Sequence, residues 1–432
     1  MTTLTGDHAV DHALGEEFEH ESVPVARRQS LGAVAAIWFG FPMILTNAVF
    51  GGIITYNLGF WAALGALVTG NVVLAIYVGA LSAIAGRTGL NFAMQARRTF
   101  GTKGFAIASG FLATIVVGWY AFQTGLTGAT LHDSFGWNTT MLIVIAAVLY
   151  TAITYVGVRA LTIIGLIAAP LYVVLGLVAV AIIAKTHDLG AVTQFAGHSG
   201  GMTFAGAVTL VVATFADSGT MTADFTRWSR SGREAVLAAI TAFPVANLVS
   251  QLFGVVVVAA GAAAAPATDG GNFLSLMTGH GVLLNALAVA FVFVNLGSVC
   301  THCLYNGAVG WSHLAGSQMR KLTLILGVIG GILAVAGIWS FFLSWLNLLG
   351  IFVPPIGAIV ITDQLLLGGI DRPAAETPYR ASAFVAWAVG AAAAMLVHWG
   401  VPGPGEAITG MVVGGAVYAV AMRTRRVAAL AS

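Results

Sequence analysis

The sequence predicts an all-α polytopic membrane protein with about twelve transmembrane helices. Of the 432 residues, 58% are hydrophobic and only 8% are charged, whereas a soluble domain usually has about 25% charged residues. So few charges cannot cover a water-exposed surface, and most of the surface must therefore face lipid. Apolar runs of about 20 residues, the length that crosses a bilayer as a helix, recur along the chain, and the basic residues cluster between them.

Polar residues between the apolar runs divide the chain into four segments. Residues 1–30 are predicted to be a disordered cytoplasmic tail. The other segments are a first group of five helices (31–184), a second group of five (203–367) and two further C-terminal helices (380–422). The predicted spans are 31–55, 60–86, 104–128, 139–157, 160–184, 203–224, 235–262, 283–311, 322–340, 342–367, 380–398 and 404–422. A short amphipathic interfacial helix is expected between the second and third spans.

The basic residues indicate how these spans cross the membrane. Lys185 stands apart from the others, and if the spans alternate in direction, the remaining 17 of the 18 Lys and Arg residues lie on one side. The positive-inside rule assigns that side to the cytoplasm. We therefore expect a protein of the cytoplasmic (inner or plasma) membrane with both termini inside. The 17 residues are Arg27, Arg28, Arg87, Arg97, Arg98, Lys103, Arg159, Arg227, Arg230, Arg233, Arg320, Lys321, Arg372, Arg380, Arg423, Arg425 and Arg426.

Two spans contain residues that should interrupt a helix. The first contains Gly40-Phe41-Pro42, and proline removes a backbone hydrogen bond in mid-helix. The sixth contains the polar run from Thr214 to Thr220. Unwound backbone in a bilayer survives only inside protein or beside a cavity. Interruptions five spans apart are typical of two inverted five-helix repeats, in which the half-helix ends bind a substrate and a coupling ion near the bilayer midplane. The alternative is a pair of ordinary kinks.

Several polar and aromatic side chains fall at membrane depth. Asp217 is the notable carboxylate, because a lone acid there costs on the order of 3 kcal/mol. It is a candidate for proton coupling or for pairing with a substrate N–H, and alternatively a structural carboxylate bound to freed backbone amides. Trp119 and Gln123 share a helix face, and an indole beside an amide suits a planar heterocycle. Phe215 would offer a second aromatic wall. Packing is the alternative for these residues, and also for the polar positions Asn295, Ser298, Thr301 and His302 of the eighth span.

Enzymatic function is not indicated by the sequence. The chain has no GxxxxGK[ST] loop, HExxH pair or GxSxG elbow, so active transport would draw on an ion gradient. We expect no cofactor, no nucleic acid and no obligate protein partner, only the lipid bilayer and a small planar heterocyclic substrate. A passive channel would show continuous polar stripes, and the polar breaks here are isolated. An amino-acid carrier is a closer alternative, although Asp217 would repel the substrate carboxylate.

Four motifs carry a resemblance to a known family. They are VGWY at 117–120, TFADSGTMTADFTRWSR at 214–230, CLYNGAVGW at 303–311 and FVPPIGAIVITDQLL at 352–366. With these motifs the chain resembles the nucleobase–cation symporter family, in particular its cytosine and purine permease branch, from about Val23 to Arg426. The resemblance implies a five-plus-five inverted repeat with two additional helices. It also implies uptake of a nucleobase-like substrate, held between the first, third, sixth and eighth spans, by cation symport with alternating access.

The resemblance also implies roles for individual residues. Trp119 and Phe215 would sandwich the ring, with the polar groups of the sixth span at its edge and Gln123 corresponding to a glutamine of the hydantoin-transporting branch. The substrate-binding set is thus Trp119, Gln123, Thr214, Phe215, Asp217 and Ser218. The family's sodium site would correspond to Gly40, Met43, Asn295 and Ser298.

Two departures from the family pattern bear on coupling and on substrate. Val299 stands where the sodium site has a hydroxyl, and hard cations need oxygen ligands. Asp217 stands where the cytosine branch has a small hydroxyl residue. These departures suggest that protons replace or assist sodium, with Asp217 as the titrating group. A cytosine-like pyrimidine is the expected substrate, and hydroxymethylpyrimidine (a thiamine precursor), a purine, or allantoin or a hydantoin are the alternatives.

Overall fold

A computed structural model describes residues 15–198, 201–372, 376–400 and 405–431. This part of the chain is helical and contains no β-strand, only a lone bridge between Gln29 and Ser229. Its α-helices are α1 (Leu31–Gly40), α2 (Leu45–Leu58), α3 (Phe60–Thr88), α4 (Phe92–Phe100), α5 (Phe105–Phe135), α6 (Thr139–Val156), α7 (Val158–Thr186), α8 (Phe204–Ala213), α9 (Ala216–Thr220), α10 (Ala223–Thr226), α11 (Gly232–Ile240), α12 (Asn247–Ala259), α13 (Val282–Ala315), α14 (Met319–Val335), α15 (Phe342–Phe352), α16 (Pro354–Ile361), α17 (Ala381–Gly400) and α18 (Glu406–Ala431).

Shorter helical segments connect some of these elements. The 3₁₀ segments are Val25–Arg27, Leu189–Gln194, Leu274–Leu276, Ile338–Phe341 and Gly369–Asp371, and the π segments are Thr241–Ala246 and Thr362–Leu366.

The long helices are suited to a membrane. Nine helices of the described ranges are long and apolar enough to cross one, or ten when the bent pair α1 and α2 counts as a single span. Large apolar side chains such as Ile76, Val148 and Val328 point outward with more than 60% of their surface exposed, as expected where lipid is the solvent. The prediction of a helical membrane bundle is therefore confirmed, and the count of twelve spans stays a prediction.

Glycine allows the central helices α5 and α13 to approach closely. A methyl group at Gly310 of α13 would lie 2.8 Å from the Cβ of Ala113 in α5, and one at Gly307 would lie 2.7 Å from Val117. Small residues serve this purpose in membrane helices because contact between helices there comes from packing rather than from a hydrophobic driving force. The backbones of α5 and α13 therefore lie in close contact.

A short helix is present between the second and third spans as predicted, α4, and its interfacial position stays a prediction. The Asn91 side chain accepts a hydrogen bond from the Met94 backbone N–H and so caps its first turn. The last turn of α4 contains Arg97 and Arg98, as the negative end of the helix dipole favours.

The first described residues are packed against the protein, whereas disorder was predicted for residues 1–30. Residues 1–14 lie outside the described ranges, but residues 15–23, which we call the N-terminal segment, pack on one end of the bundle. Arg227 donates to the backbone oxygens of Phe18 at 2.6 Å and of Glu17 at 2.7 Å. The Glu17 carboxylate accepts from Tyr305 Oη at 2.8 Å and from the Val158 N–H at 3.1 Å. We call this end of the bundle the N-terminal face.

Helix starts explain why acidic residues are ordered there. The carboxylate of Glu17 caps the first turn of α7 at Val158, and that of Glu19 accepts from the N–H of Met319 at the start of α14, at 2.7 Å. Free N–H groups and the positive end of the helix dipole both favour a carboxylate at such positions. Acidic composition alone suggested solvation, and the helix starts that these two carboxylates cap lie 141 and 300 positions away in the sequence.

A candidate substrate cavity between two helix breaks

The first predicted break lies between α1 and α2. The two helices meet at an angle of 55°, and the four residues between them include Pro42. The Asn295 side chain of α13 spans this gap. Its oxygen accepts from the Leu45 N–H at 2.8 Å, and its nitrogen donates to the Met43 carbonyl at 2.6 Å. One carboxamide thus satisfies two backbone groups that a continuous helix would have paired internally.

The second break interrupts the sixth predicted span between α8 and α9. The helix ends at Ala213, and Phe215 has a backbone φ of −131°, outside the helical range. The Thr214 hydroxyl donates to the Val211 carbonyl at 2.7 Å, which satisfies one of the last acceptors of α8. Beyond the break, the Asp217 Oδ1 atom accepts from the Ser218 N–H at 2.7 Å. Both breaks therefore occur where the glycine, proline and polar residues predicted them.

An enclosed cavity lies where the two breaks meet α5 and α13. Its walls are mainly apolar and aromatic, and its volume is about 10 Å³, close to the minimum for one water molecule. A planar heterocycle needs more room, so the walls must move apart to admit one. The lining residues are Phe41, Ile44, Thr46, Asn47, Phe50, Trp119, Thr214, Phe215, Ser218, Val299 and Cys303.

Aromatic rings around this cavity pack against one another in two groups. The rings of Phe41 and Phe215 meet edge to face with centroids 5.4 Å apart, and Phe41 also stacks on His302 at 4.7 Å. Trp119 packs against Phe122 at 6.1 Å in an edge-to-face arrangement. Such aromatic surfaces favour a flat, polarisable ligand.

The structure brings most of the six predicted substrate residues to this cavity. Trp119, Thr214, Phe215 and Ser218 line it. Gln123 and Asp217 are fully buried close by but do not line it. The Gln123 oxygen instead accepts from the Thr46 hydroxyl, at 3.1 Å.

The four residues predicted for a cation site also come together. Asn295 donates to the Met43 carbonyl, and the Ser298 hydroxyl donates to the Gly40 carbonyl at 3.3 Å. Both backbone oxygens therefore accept hydrogen bonds from the protein. Val299, one residue further along α13, has an apolar side chain that lines the cavity.

Sequence reasoning missed several lining residues of the first span. Phe41, Ile44, Thr46, Asn47 and Phe50 all line the cavity. A usable signal was present, since Thr46 and Asn47 are polar residues inside an apolar run close to Pro42, where polar groups are expensive unless they serve a cavity or another helix.

Comparisons with known proteins agree with this architecture. A family model described as permease for cytosine/purines, uracil, thiamine and allantoin matches residues 23–418. The cytosine permease of Escherichia coli strain K12 is 30% identical over 353 residues, with 81% of each chain covered. The hydantoin permease of Microbacterium maritypicum is 25% identical over 360 residues, which cover 78% of this chain and 72% of that one.

The fold matches a solved transporter over nearly its whole length. Mhp1, a nucleobase-cation-symport-1 family transporter solved in a closed conformation with bromovinylhydantoin bound, superposes with a TM-score of 0.77 and 20% identity over 94% of both chains. Its inward-facing conformation gives 0.73 with 21% identity over 94% of this chain and 93% of that one. The family match spans both helix breaks and the cavity between them, and the chain belongs to the permease family for cytosine, purines, uracil, thiamine and allantoin.

Proposed function

We propose that this permease imports a nucleobase or related pyrimidine, cytosine-like in shape, across the cytoplasmic membrane by cation symport. The observation that carries the proposal is the aromatic cavity at the meeting point of the two helix breaks, with Trp119 and Phe215 both in its walls. Sites at this position of a repeat transporter serve substrate binding, and their half-helix ends supply polar groups near the bilayer midplane. The polar edge of the substrate would face Thr214, Ser218 and, once the cavity widens, Gln123 and Asp217.

The proposed mechanism is alternating access in a bundle of twelve spans built from two inverted five-helix repeats and two further helices. The breaks at α1–α2 and α8–α9, in the first and sixth predicted spans, support this assignment. Rocking of one group of helices against the other would expose the cavity to each side of the membrane in turn.

The substrate class is proposed from the cavity walls and from the relatives together. A flat apolar site with few polar groups binds a ring by stacking and burial, and the polar groups set specificity. Cytosine is the first candidate because the cytosine permease is the relative at 30% identity. Hydroxymethylpyrimidine, a purine, and allantoin or a hydantoin are the alternatives, and the hydantoin permease at 25% identity supports the last of these. An amino-acid carrier or a passive channel is a weaker candidate.

The coupling ion is proposed to be a proton, acting in place of sodium or together with it. The carbonyls of Gly40 and Met43 already accept hydrogen bonds from Ser298 and Asn295, and Val299 offers no side-chain oxygen. A sodium ion at Gly40, Met43, Asn295 and Ser298 would have to displace these bonds and would have few oxygen ligands. Asp217, fully buried beside the second break, is the group proposed to carry the proton.

Replacing the indole at the cavity wall tests this function. In Trp119→Ala, binding of cytosine, uracil, hypoxanthine or allantoin to the purified protein should weaken roughly tenfold to a hundredfold, because stacking on an aromatic side chain contributes about 1–3 kcal/mol per base. Isothermal titration calorimetry, with each compound tested separately, measures the affinity. Uptake of the radiolabelled compound into proteoliposomes then measures transport.

The matched control is Trp61→Ala, since the Trp61 side chain is 68% exposed and does not line the cavity. It should leave both binding and uptake unchanged. Unaltered affinity in Trp119→Ala, in a folded protein that binds one of these compounds, would place the substrate elsewhere. If no heterocycle binds to the wild-type protein, the proposed substrate class is wrong.

A further inference from the structure

A row of four buried carboxamides joins α2 to α12 and α3. Asn47 Nδ2 donates to Asn247 Oδ1 at 2.7 Å, and Asn247 Nδ2 donates in turn to Asn71 Oδ1 at 2.9 Å. Asn71 Nδ2 then donates to Gln251 Oε1 at 2.8 Å. All four side chains are at most 1% exposed. This row, which we call the amide relay, begins at the cavity wall and runs away from it.

Two backbone carbonyls fix the direction of every amide in the relay. Asn47 Nδ2 also donates to the Pro42 carbonyl at 2.6 Å, and Asn71 Nδ2 also donates to the Leu67 carbonyl at 2.9 Å. A carbonyl can only accept, so the atom facing it must be the nitrogen rather than the oxygen of the carboxamide. Turning either amide over would set two oxygens against each other in a buried site. The orientation of Asn47 therefore follows from its surroundings rather than from a free choice between nitrogen and oxygen.

The fixed orientation leaves one acceptor of Asn47 unused. Both N–H groups of its carboxamide are engaged, by Pro42 and by Asn247. Its Oδ1 atom is buried and has no hydrogen-bond partner among the described residues. Buried polar atoms are nearly always satisfied in native proteins, and Asn47 is one of the residues that line the substrate cavity.

We propose that Asn47 is a specificity-determining residue whose Oδ1 atom accepts a hydrogen bond from a ring N–H of the substrate. This inference rests on the proposed function, because it assigns a hydrogen-bond role within the same cavity. The Pro42 carbonyl and Asn247 position this carboxamide, so that it presents an acceptor, never a donor, at this wall. A ring that carries an N–H on the edge facing α2 satisfies the acceptor. A ring whose nitrogen there is methylated leaves Oδ1 unpaired and also collides with it.

Paired ligands test the assignment, because they separate a hydrogen bond from a general loss of structure. Cytosine is compared with N1-methylcytosine, and uracil with its N1-methyl and N3-methyl derivatives, by calorimetric titration of the purified full-length protein. In the wild type, at least one methylation should weaken binding by about tenfold to a hundredfold, the effect of leaving a buried acceptor unpaired. In Asn47→Ala that same methylation should change the affinity by less than about threefold, because the acceptor is gone and the methyl group fills the space that it leaves.

Asn71→Ala is the matched control. It breaks the relay one step further from the cavity, where Asn47 is still held by Pro42 and Asn247, so discrimination between the parent and methylated compounds should be kept. If Asn47→Ala does not fold, Asn47→Ser replaces it, since a hydroxyl can still donate to the Pro42 carbonyl but cannot present the amide oxygen. Thermal unfolding of each purified variant reports folding.

The outcomes separate this inference from the proposed function. Discrimination that persists in Asn47→Ala or Asn47→Ser overturns the role of Asn47 while leaving the substrate class intact. Discrimination that is lost equally in Asn71→Ala assigns a structural role to the whole relay and also overturns it. Absence of binding by every parent compound to the wild type would instead contradict the proposed function itself.

Discussion

Asp217 is a fully buried carboxyl group in the sixth predicted span, directly after the helix break. Its Oδ1 atom is bound by the Ser218 N–H, and the Trp119 indole is a second hydrogen-bond donor to the carboxyl group. The ion pairs of Arg380 with Asp363 and of His398 with Glu406 do not involve Asp217. A carboxylate without a counter-charge at membrane depth is costly. Protonation of Asp217 removes that charge. This would couple the proton gradient to the conformation of the helix break.

Removing the titrating group should therefore uncouple transport from the proton gradient. In proteoliposomes, wild-type uptake of the bound heterocycle should rise when the outside is made more acidic than the inside, and it should continue when sodium is replaced by potassium. Asp217→Asn is permanently neutral, so its uptake should no longer respond to the pH gradient. Asp269→Asn, in an exposed loop, is the control and should respond as the wild type does. Strict sodium dependence with no effect of pH on either protein would contradict proton coupling.

At the residue scale, the sequence could predict which polar and aromatic residues lie at membrane depth. It could not predict the direction in which an individual side-chain atom points. Trp119 and Asp217 could be predicted because an indole and an acid are conspicuous inside apolar runs. The orientation of the Asn47 amide could not, since it depends on a carbonyl five residues away and on Asn247, 200 residues away in the sequence. For the same reason Gln123 was expected in the cavity, whereas its oxygen is occupied by Thr46.

At the scale of elements, a helix break could be predicted where a residue type interrupts a helix without help from its neighbours. The break at Pro42 and the break after Ala213 both lie where the sequence places helix-disrupting residues. The seventh predicted span was expected to be continuous, but it contains a π segment at Thr241–Ala246, in which Phe243 has non-helical backbone angles just before Pro244. A proline removes a hydrogen bond. Whether the helix then bends or widens is decided by its neighbours, here α1 and α3, which pack against this segment.

The N-terminal segment is the element for which composition was most misleading, because its acidic residues suggested disorder. Its attachment to the helix bundle should depend on pH. Burial raises the pKa of the Glu17 carboxyl above its ordinary value, although Tyr305, Arg227, the Val158 N–H and Arg320 act in the opposite direction. The docked segment therefore binds a proton more tightly than the undocked one. Docking is thus strongest below the ordinary pKa of glutamate, and it weakens as the pH rises through the raised pKa, by at most about tenfold per pH unit.

A spin label at Ser22→Cys measures this attachment, because the position is exposed and both native cysteines are buried. The mobile fraction of the label should increase as the pH rises above the ordinary pKa of glutamate. In Glu17→Gln, which is neutral at every pH, that increase should disappear. Glu16→Gln, the exposed neighbour, should behave as the wild type. A pH response that survives in Glu17→Gln would show that another group controls docking.

At the scale of the whole molecule, the basic side chains are distributed unevenly along the length of the helix bundle. Basic residues from distant parts of the sequence meet at the N-terminal face: Arg28 donates to the Gly86 carbonyl at 2.8 Å, Arg320 to that of Gly15 at 2.7 Å, and Arg98 to that of Ile370 at 3.0 Å. At the other end of α3, the Phe60 N–H donates to Phe195 in the loop after α7. Arg28 and Arg320, which belong to two of the clusters read along the sequence, therefore lie at the same end of the bundle, as an alternating set of spans requires.

This asymmetry predicts the orientation of the protein in the membrane. Lysine and arginine are retained on the cytoplasmic side during insertion, so the N-terminal face should be cytoplasmic. Val25→Cys, at a residue 73% exposed on that face, should react with a membrane-impermeant maleimide only after the cells are permeabilised. Asp269→Cys, in the exposed loop between α12 and α13, should react in intact cells. The wild-type protein controls for the buried Cys300 and Cys303. Labelling of Val25→Cys in intact cells would reverse the orientation, and with it the proposed direction of import, while leaving the cavity and its contacts unchanged.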